Sequence, residues 1–129
     1  DHEPYQNVFD VPPDAPGYDA EAVKEGAAAA AGENEKVTQF FRGADLLVHD
    51  TQYKNREWRN GKKGWGHSTF EWAIGSAHRA GVKHLVLFHH DPDRSDAKLE
   101  ELADGYRAAI AGKTRMQISI AQEGRTFEV

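Results

Sequence analysis

No cysteine occurs anywhere in the chain, which excludes disulfide staples, thiolate metal sites and cysteine nucleophiles. With none to oxidise, a cytoplasmic location is the simpler expectation. No apolar run approaches the roughly 20 residues a membrane-spanning helix needs, so no membrane partner is expected. Positive charge is also short. Sixteen Lys and Arg against 21 Asp and Glu leave a formal net charge of −5, which argues against non-specific nucleic-acid binding. A local positive pocket for a small phosphate ester remains compatible with that balance. The opening Asp1-His2-Glu3-Pro4 has neither the basic nor the apolar stretch of a signal peptide, and no initiator Met precedes it. The expectation is a processed or excised piece of something longer.

What is present suits a globular domain. The chain has 129 residues, 39% hydrophobic and 29% charged, enough for one domain with a core and too few for two. Seven histidines, two of them adjacent at His89-His90, are the first hint of chemistry, because imidazole is both a metal ligand and an acid/base near neutral pH. The first forty residues differ from the rest. Asp10 to Gly17 (DVPPDAPG) is too rich in proline for regular structure. Asp19 to Gly32 is alanine-rich and predicts a loosely packed helix stopping at Gly32. Residues 10–35 thus read as a loop and Ala-rich helix inserted in a single domain, 1–129. A second short helix is expected from Asn34 to Arg42, burying Val37, Phe40 and Phe41.

From Ala44 the pattern alternates between strand and helix. Leu46-Leu47-Val48 and Val82 to Phe88 are apolar strands of the kind buried on both faces. Residues 51–66 (TQYKNREWRNGKKGWG) form a long polar, aromatic loop. Ser68-x-x-Glu71 has the spacing of a capping box, opening a helix with Phe70, Ala73, Ile74 and Ala77 on one face and Trp72 and Arg79 on the opposite one. Ser95 or Asp96 caps a further helix with Leu99, Leu102, Ala103, Tyr106 and Ile110 inward. Met116 to Ala121 and Arg125 to Val129 read as strands of a closing hairpin. The fold class is therefore α/β, with one sheet of four to six strands and helices chiefly on one face.

Ligands in open α/β sheets bind beyond the carboxyl ends of the strands. Two strands here end in histidine and acid, His49-Asp50 and His89-His90-Asp91, and His67 stands just before a helix N-terminus, a place suited to anions. Beside such a terminus an imidazole binds a phosphate oxygen or protonates a leaving group; the alternative is a histidine that packs against Trp65. For His89 and His90 the alternative to metal ligation is a solvated strand-terminal pair.

Three segments carry a family resemblance. Ala44 to Tyr53 (ADLLVHDTQY), Gly66-His67-Ser68-Thr69, and Gly81 to Pro92 (GVKHLVLFHHDP) resemble, in order and in spacing, the second half of ribonuclease Z and related cyclic-phosphate phosphodiesterases of the metallo-β-lactamase superfamily. The resemblance implies the C-terminal half of an αββα sandwich with one mixed sheet. It puts His89 on a metal and leaves His90 outside the ligand set. It makes His67 the histidine that contacts the scissile phosphate, with Ser68 beside it in substrate binding. Asp50 replaces the family's glutamate in orienting His67, one methylene shorter. Asp1-His2-Glu3-Pro4 resembles the family's "DHEP" segment, which makes Asp1 a candidate bridging metal ligand.

For the intact parent, the resemblance implies two divalent ions, zinc or manganese, and a metal-bound hydroxide attacking a phosphodiester. The family's first-half motif, H-x-H-x-D-H, is absent here. The chain alone is therefore expected to bind metal weakly and catalyse little, with a missing N-terminal half or a second copy of the chain as its partner. The competing reading is a non-catalytic interaction or oligomerisation module that retains the fold and needs no metal.

Overall fold

The computed structural model describes residues 1–129. Its centre is a three-stranded parallel sheet in the order β1-β2-β3, formed by β1 (Leu46–Asp50), β2 (His84–Phe88) and β3 (Gln117–Ile120). Val48 stands beside Val86, and Val86 beside Ser119. A helix lies between each pair of consecutive strands, and such a crossover returns the chain in the same direction. The sheet is accordingly all parallel and three-stranded, where the sequence suggested a mixed sheet of four to six strands. The closing hairpin does not form. Residues 121–129 turn at Gln122, whose carbonyl accepts from the Arg125 amide at 3.2 Å, and Phe127 then comes to rest edge-on to the His84 ring.

The helices are α1 (Ala20–Phe40), the short α2 (Asn55–Glu57), α3 (Phe70–Arg79) and α4 (Asp96–Ile110). The core lies on one face of the sheet. Leu85, Leu87, Ile118 and Ile120 point into it and meet Phe70, Ile74 and Ala77 of α3 and Leu99 and Ala103 of α4. Side chains on a strand alternate between faces. Leu46, Val48, Val86 and Phe88 therefore lie on the other face, where Val48 and Phe88 are 53% and 52% exposed.

Two helix boundaries differ from the expectation. Gly32 does not stop the first helix. The run Ala27 to Ala31 before it and the helix-compatible Glu33, Glu35, Lys36 and Gln39 after it carry the chain through to Phe40 as one element, past the 10–35 boundary drawn from composition. Asp19 caps it, its carboxylate accepting from the amides of Glu21 and Ala22. Residues 5–9 run along it: Asn34 exchanges two hydrogen bonds with the Tyr5 backbone, and the Asn7 amide donates to the Val23 carbonyl. Phe41 is buried as expected, but Phe40 is 89% exposed. The cap of α3 is Thr69 rather than Ser68, its hydroxyl oxygen accepting from the Trp72 amide at 3.1 Å. Glu71, freed from a capping role, accepts from the Asn55 amide and the Tyr106 hydroxyl, each at 2.9 Å, and so ties α2 and α4 to α3. For α4 the cap is Ser95, as its sequence suggests.

Candidate metal and phosphate site

The site forms at the carboxyl edge of the parallel sheet. Asp50 is the last residue of β1, and His89 follows β2 directly. Asp50 belongs to the face opposite the helices and is buried. Its Oδ2 lies 2.7 Å from Nδ1 of His67, and its Oδ1 accepts from the Ser68 amide at 3.3 Å. A carboxylate can only accept in this pair, so Nδ1 carries the proton and Nε2 is the nitrogen left for a ligand.

His89 adopts φ 59°, the one positive φ in the chain outside glycine. That left-handed backbone is uncommon for histidine and turns the ring back over the sheet edge. The ring stacks on His67 at 4.5 Å between centroids and 16° between planes. Asp1 completes the cluster: its Oδ1 is 3.8 Å from His67 Nδ1 and 3.7 Å from His89 Nδ1. One ligand atom from each of Asp1, His67 and His89 lies within 4.8 Å of the others. Carboxylate oxygen with imidazole nitrogen is a donor set suited to zinc or manganese. The residues present therefore fit a divalent ion at this edge, while falling short of the ligands that two ions need.

The other residues singled out from the sequence fall into different places. Ser68 is buried, and its hydroxyl has no hydrogen-bond partner; its amide, not its hydroxyl, serves the site by holding Asp50. The start of α3 offers less to an anion than its sequence suggested. The Phe70 amide is taken by the Tyr53 carbonyl and the Trp72 amide by Thr69. His90 turns away from Asp1 into a cavity of about 440 Å³ with Asp96, Leu99, Glu100 and Ile120, and burial lowers its pKa.

His49 does not share the site with its neighbour Asp50. Strand alternation puts it on the helical side, buried, with Nδ1 2.7 Å from the Asp50 carbonyl. There it packs among Phe41, Trp72 and His2 at centroid distances of 5.4 to 5.5 Å. Trp72 thus belongs to an aromatic cluster against the core, whereas Arg79 is exposed. Burial lowers the pKa of both His49 and His2.

The loop 51–66, whose Tyr53, Trp58, Lys62, Lys63 and Trp65 the sequence offers as candidates to shape a substrate pocket, runs beside His67. Tyr53 pairs with Thr69 in an isolated bridge and sets its ring edge-on to His67 at 6.2 Å. After α2 the chain makes a wide π-type turn over Trp58–Lys62. The Lys62 ammonium then sits 3.7 Å from the Trp65 ring centroid. Glu3, missed entirely, reaches into this loop and accepts from Trp58, Gly64 and Gly66. Only the acidic character of the "DHEP" segment could have pointed to it.

Comparison with known proteins decides the lineage of this arrangement. The chain is 30% identical over 86 residues to ribonuclease Z of Porphyromonas gingivalis, a match covering 65% of this chain and 28% of the relative. Against ribonuclease Z of Kineococcus radiotolerans it is 38% identical over 90 residues, 67% of this chain and 28% of the relative. This chain is a relative of ribonuclease Z. A shorter match to ribonuclease Z of Thermococcus gammatolerans reaches 46% identity over 56 residues, 43% of this chain and 17% of the relative. Ribonuclease Z is a metallo-β-lactamase-fold enzyme, and the extent of the matches fits a C-terminal-half segment of it. The chain spans less than a third of the length of these ribonuclease Z relatives. No protein-family model matches the chain. No helix is long and apolar enough to cross a membrane.

Proposed function

We propose that this chain supplies the second half of the active site of a metal-dependent phosphodiesterase, completed by an N-terminal half that packs on the sheet face opposite the core. The observation that carries this reading is the convergence of Asp1, His67 and His89 at one sheet edge, with Asp50 fixing His67. Asp1 and His89 are the residues that would hold metal. A divalent ion held there would supply Lewis acidity, acidifying a water and offsetting charge on a phosphate oxygen. His67 does the rest of the chemistry assigned to this chain. With Nδ1 donating to Asp50, Nε2 faces the phosphate and, when protonated, hydrogen-bonds its oxygen or hands a proton to the leaving group. Asp50 stabilises the imidazolium that this requires.

Similarity to ribonuclease Z supports a hydrolase of the phosphodiester class over the other chemistries that one fold can host. The exposed Val48 and Phe88 support a partner layer on the face opposite the core, which is only partly covered within this chain, because apolar sheet surface of this kind is normally buried. The proposed domain is therefore 1–129 as part of an αββα sandwich, with the proline-rich segment and α1 as an addition to it.

The test is metal content and hydrolysis of an aryl phosphodiester by the full-length protein and by this chain, each with and without His89→Ala. Metal and cleavage in the full-length protein, both lost with His89→Ala, support the phosphodiesterase. A full-length protein that holds no metal and is unchanged by the substitution leaves the fold as an interaction module.

A further inference from the structure

Glu3 sits two residues from Asp1, and its carboxylate is crowded with donors. Oε1 accepts from Gln6 Nε2 at 2.8 Å, from Trp58 Nε1 at 2.8 Å and from the Gly64 amide at 2.7 Å; Oε2 accepts from the Gly66 amide at 3.0 Å. Three of these four donors come from the loop 58–66, which lies 55 to 63 residues away in the chain. Gly64 and Gly66 have φ 83° and 86°, a left-handed backbone that presents amides to an anion. The loop therefore forms a cradle of N–H groups, and the anion in it is a side chain of the protein itself.

Both ends of this contact abut the site. Gly66 immediately precedes His67, and Glu3 follows Asp1 with only His2 between. The flanking residues are also fixed: His2 packs on Trp72 at 5.0 Å, Pro4 is buried, and Tyr5 is bonded to Asn34. Asp1 itself is exposed, and its carboxylate stands 3.8 Å and 3.7 Å from the two imidazoles, too far for a hydrogen bond to hold it. Its place relative to His67 is thus set through its neighbours, and Glu3 is the neighbour bonded to the loop that leads into His67.

We propose that Glu3 is a positioning residue: its carboxylate latches the loop 58–66 to the segment bearing Asp1, and so holds the Asp1 carboxylate opposite His67 and His89. This rests on the reading of Asp1 and His89 as metal ligands and His67 as the phosphate contact. The latch removes the freedom of two chain segments that would otherwise have to be ordered when metal and substrate bind.

The experiment uses the full-length protein, with Glu3→Ala, Glu3→Gln and Trp58→Phe. Native-state trypsin digestion reads the loop directly, because Arg59, Lys62 and Lys63 lie in it; calorimetric titration with zinc or manganese reads the site, and the thermal midpoint reads global stability. Glu3→Ala is expected to speed cleavage at 59–63 about tenfold or more while sites elsewhere stay protected. It should also weaken metal binding about 10- to 100-fold, the loss typical of an outer partner of a ligand. Glu3→Gln, which keeps an acceptor oxygen, should recover part of both. Trp58→Phe, which removes one donor and keeps a ring, should loosen the loop less, and adding it to Glu3→Ala should change little further.

Unchanged cleavage at 59–63 in Glu3→Ala overturns the latch. So does cleavage that rises along the whole chain in step with a fallen midpoint, which marks a merely structural contact. A freed loop with unaltered metal affinity overturns the positioning of Asp1. If the wild-type protein takes up no metal, the phosphodiesterase reading is what fails, and the digestion alone decides the latch.

Discussion

Nδ1 of His67 and Oδ2 of Asp50 meet at 2.7 Å across 17 residues of chain, one on the approach to α3 and the other at the end of β1. The carboxylate is buried, and the imidazole is mostly so, with 17% of its side chain exposed. A short contact sheltered from water fixes both the ring orientation and the proton position, leaving a single nitrogen free. Asp50→Asn keeps the shape but loses the charge and permits the wrong tautomer. In the full-length protein it is expected to lower kcat on an aryl phosphodiester roughly 10²–10⁴-fold, with metal content unchanged. Asp50→Glu, which lengthens the arm, should retain more activity than Asp50→Asn. Equal kcat for wild type and Asp50→Asn would remove His67 from the chemistry.

His89 combines a ligand role with an unusual backbone. At φ 59° asparagine is better tolerated than alanine, so His89→Asn separates the two properties. The thermal midpoint should be nearly unchanged in His89→Asn. Zinc or manganese affinity should fall by at least the roughly 10- to 100-fold that loss of an outer partner causes. A chelator should abolish wild-type hydrolysis, and added metal should restore the wild type and not the variant.

Burial lowers the folded-state pKa of His49, His2, His84 and His90 below the ordinary histidine value of 6.5. The unfolded chain binds these protons first as pH falls, so acid favours unfolding. Stability should be at its plateau above about pH 6.5 and decline below it, as pH falls toward the depressed folded values. His49, the most buried, should contribute a large share. Thermal melts between pH 7.5 and 5.5 are the measurement, and His49→Gln should flatten the dependence. A midpoint flat across that range would show that these rings charge without cost.

Gly26 lies where α1 passes the N-terminal segment. A Cβ there would come 2.1 Å from Asn7 Oδ1 and 2.9 Å from Phe9 Cδ2. Asn7 cannot swing away freely, since it donates to Val23 and accepts from the Phe9 amide. Alanine gains about 1 kcal/mol in helix propensity, against an overpacking cost of about 1–3 kcal/mol. Gly26→Ala is therefore expected to be neutral to destabilising by about 2 kcal/mol, with loosening centred on residues 5–9 in hydrogen exchange. A clear rise in melting temperature would show that the segment yields.

Truncating Leu87, which is fully buried where α3 and α4 meet the sheet, should cost about 2–5 kcal/mol in denaturant unfolding as Leu87→Ala. That is a large part of what a domain of this size possesses.

The sequence by itself determined the elements whose signal is local. Apolar runs gave β1 and β2, the Ser95 cap and the Leu99 to Ile110 spacing gave α4, and three ordered segments carried the kinship with ribonuclease Z. Strand ends and a helix start, recognisable from short patterns, also pointed to Asp50, His67 and His89, and the family resemblance alone pointed to Asp1. Where competing local signals were close, the sequence misled: Gly32 reads as a stop, yet the alanines before it and the helix-forming Glu33, Glu35, Lys36 and Gln39 after it outweigh one glycine. Ser68 and Thr69 both suit a cap, and the bridge of Thr69 to Tyr53 selects the second. Only the tertiary structure decided which side of the sheet each strand-end residue serves, sending His49 into the aromatic core and Asp50 to the site. Only it revealed Glu3, three of whose four donors are more than fifty residues away, two of those being backbone amides. A backbone donor has no side-chain signature, so a contact built on amides leaves no trace in the sequence until the chain has folded.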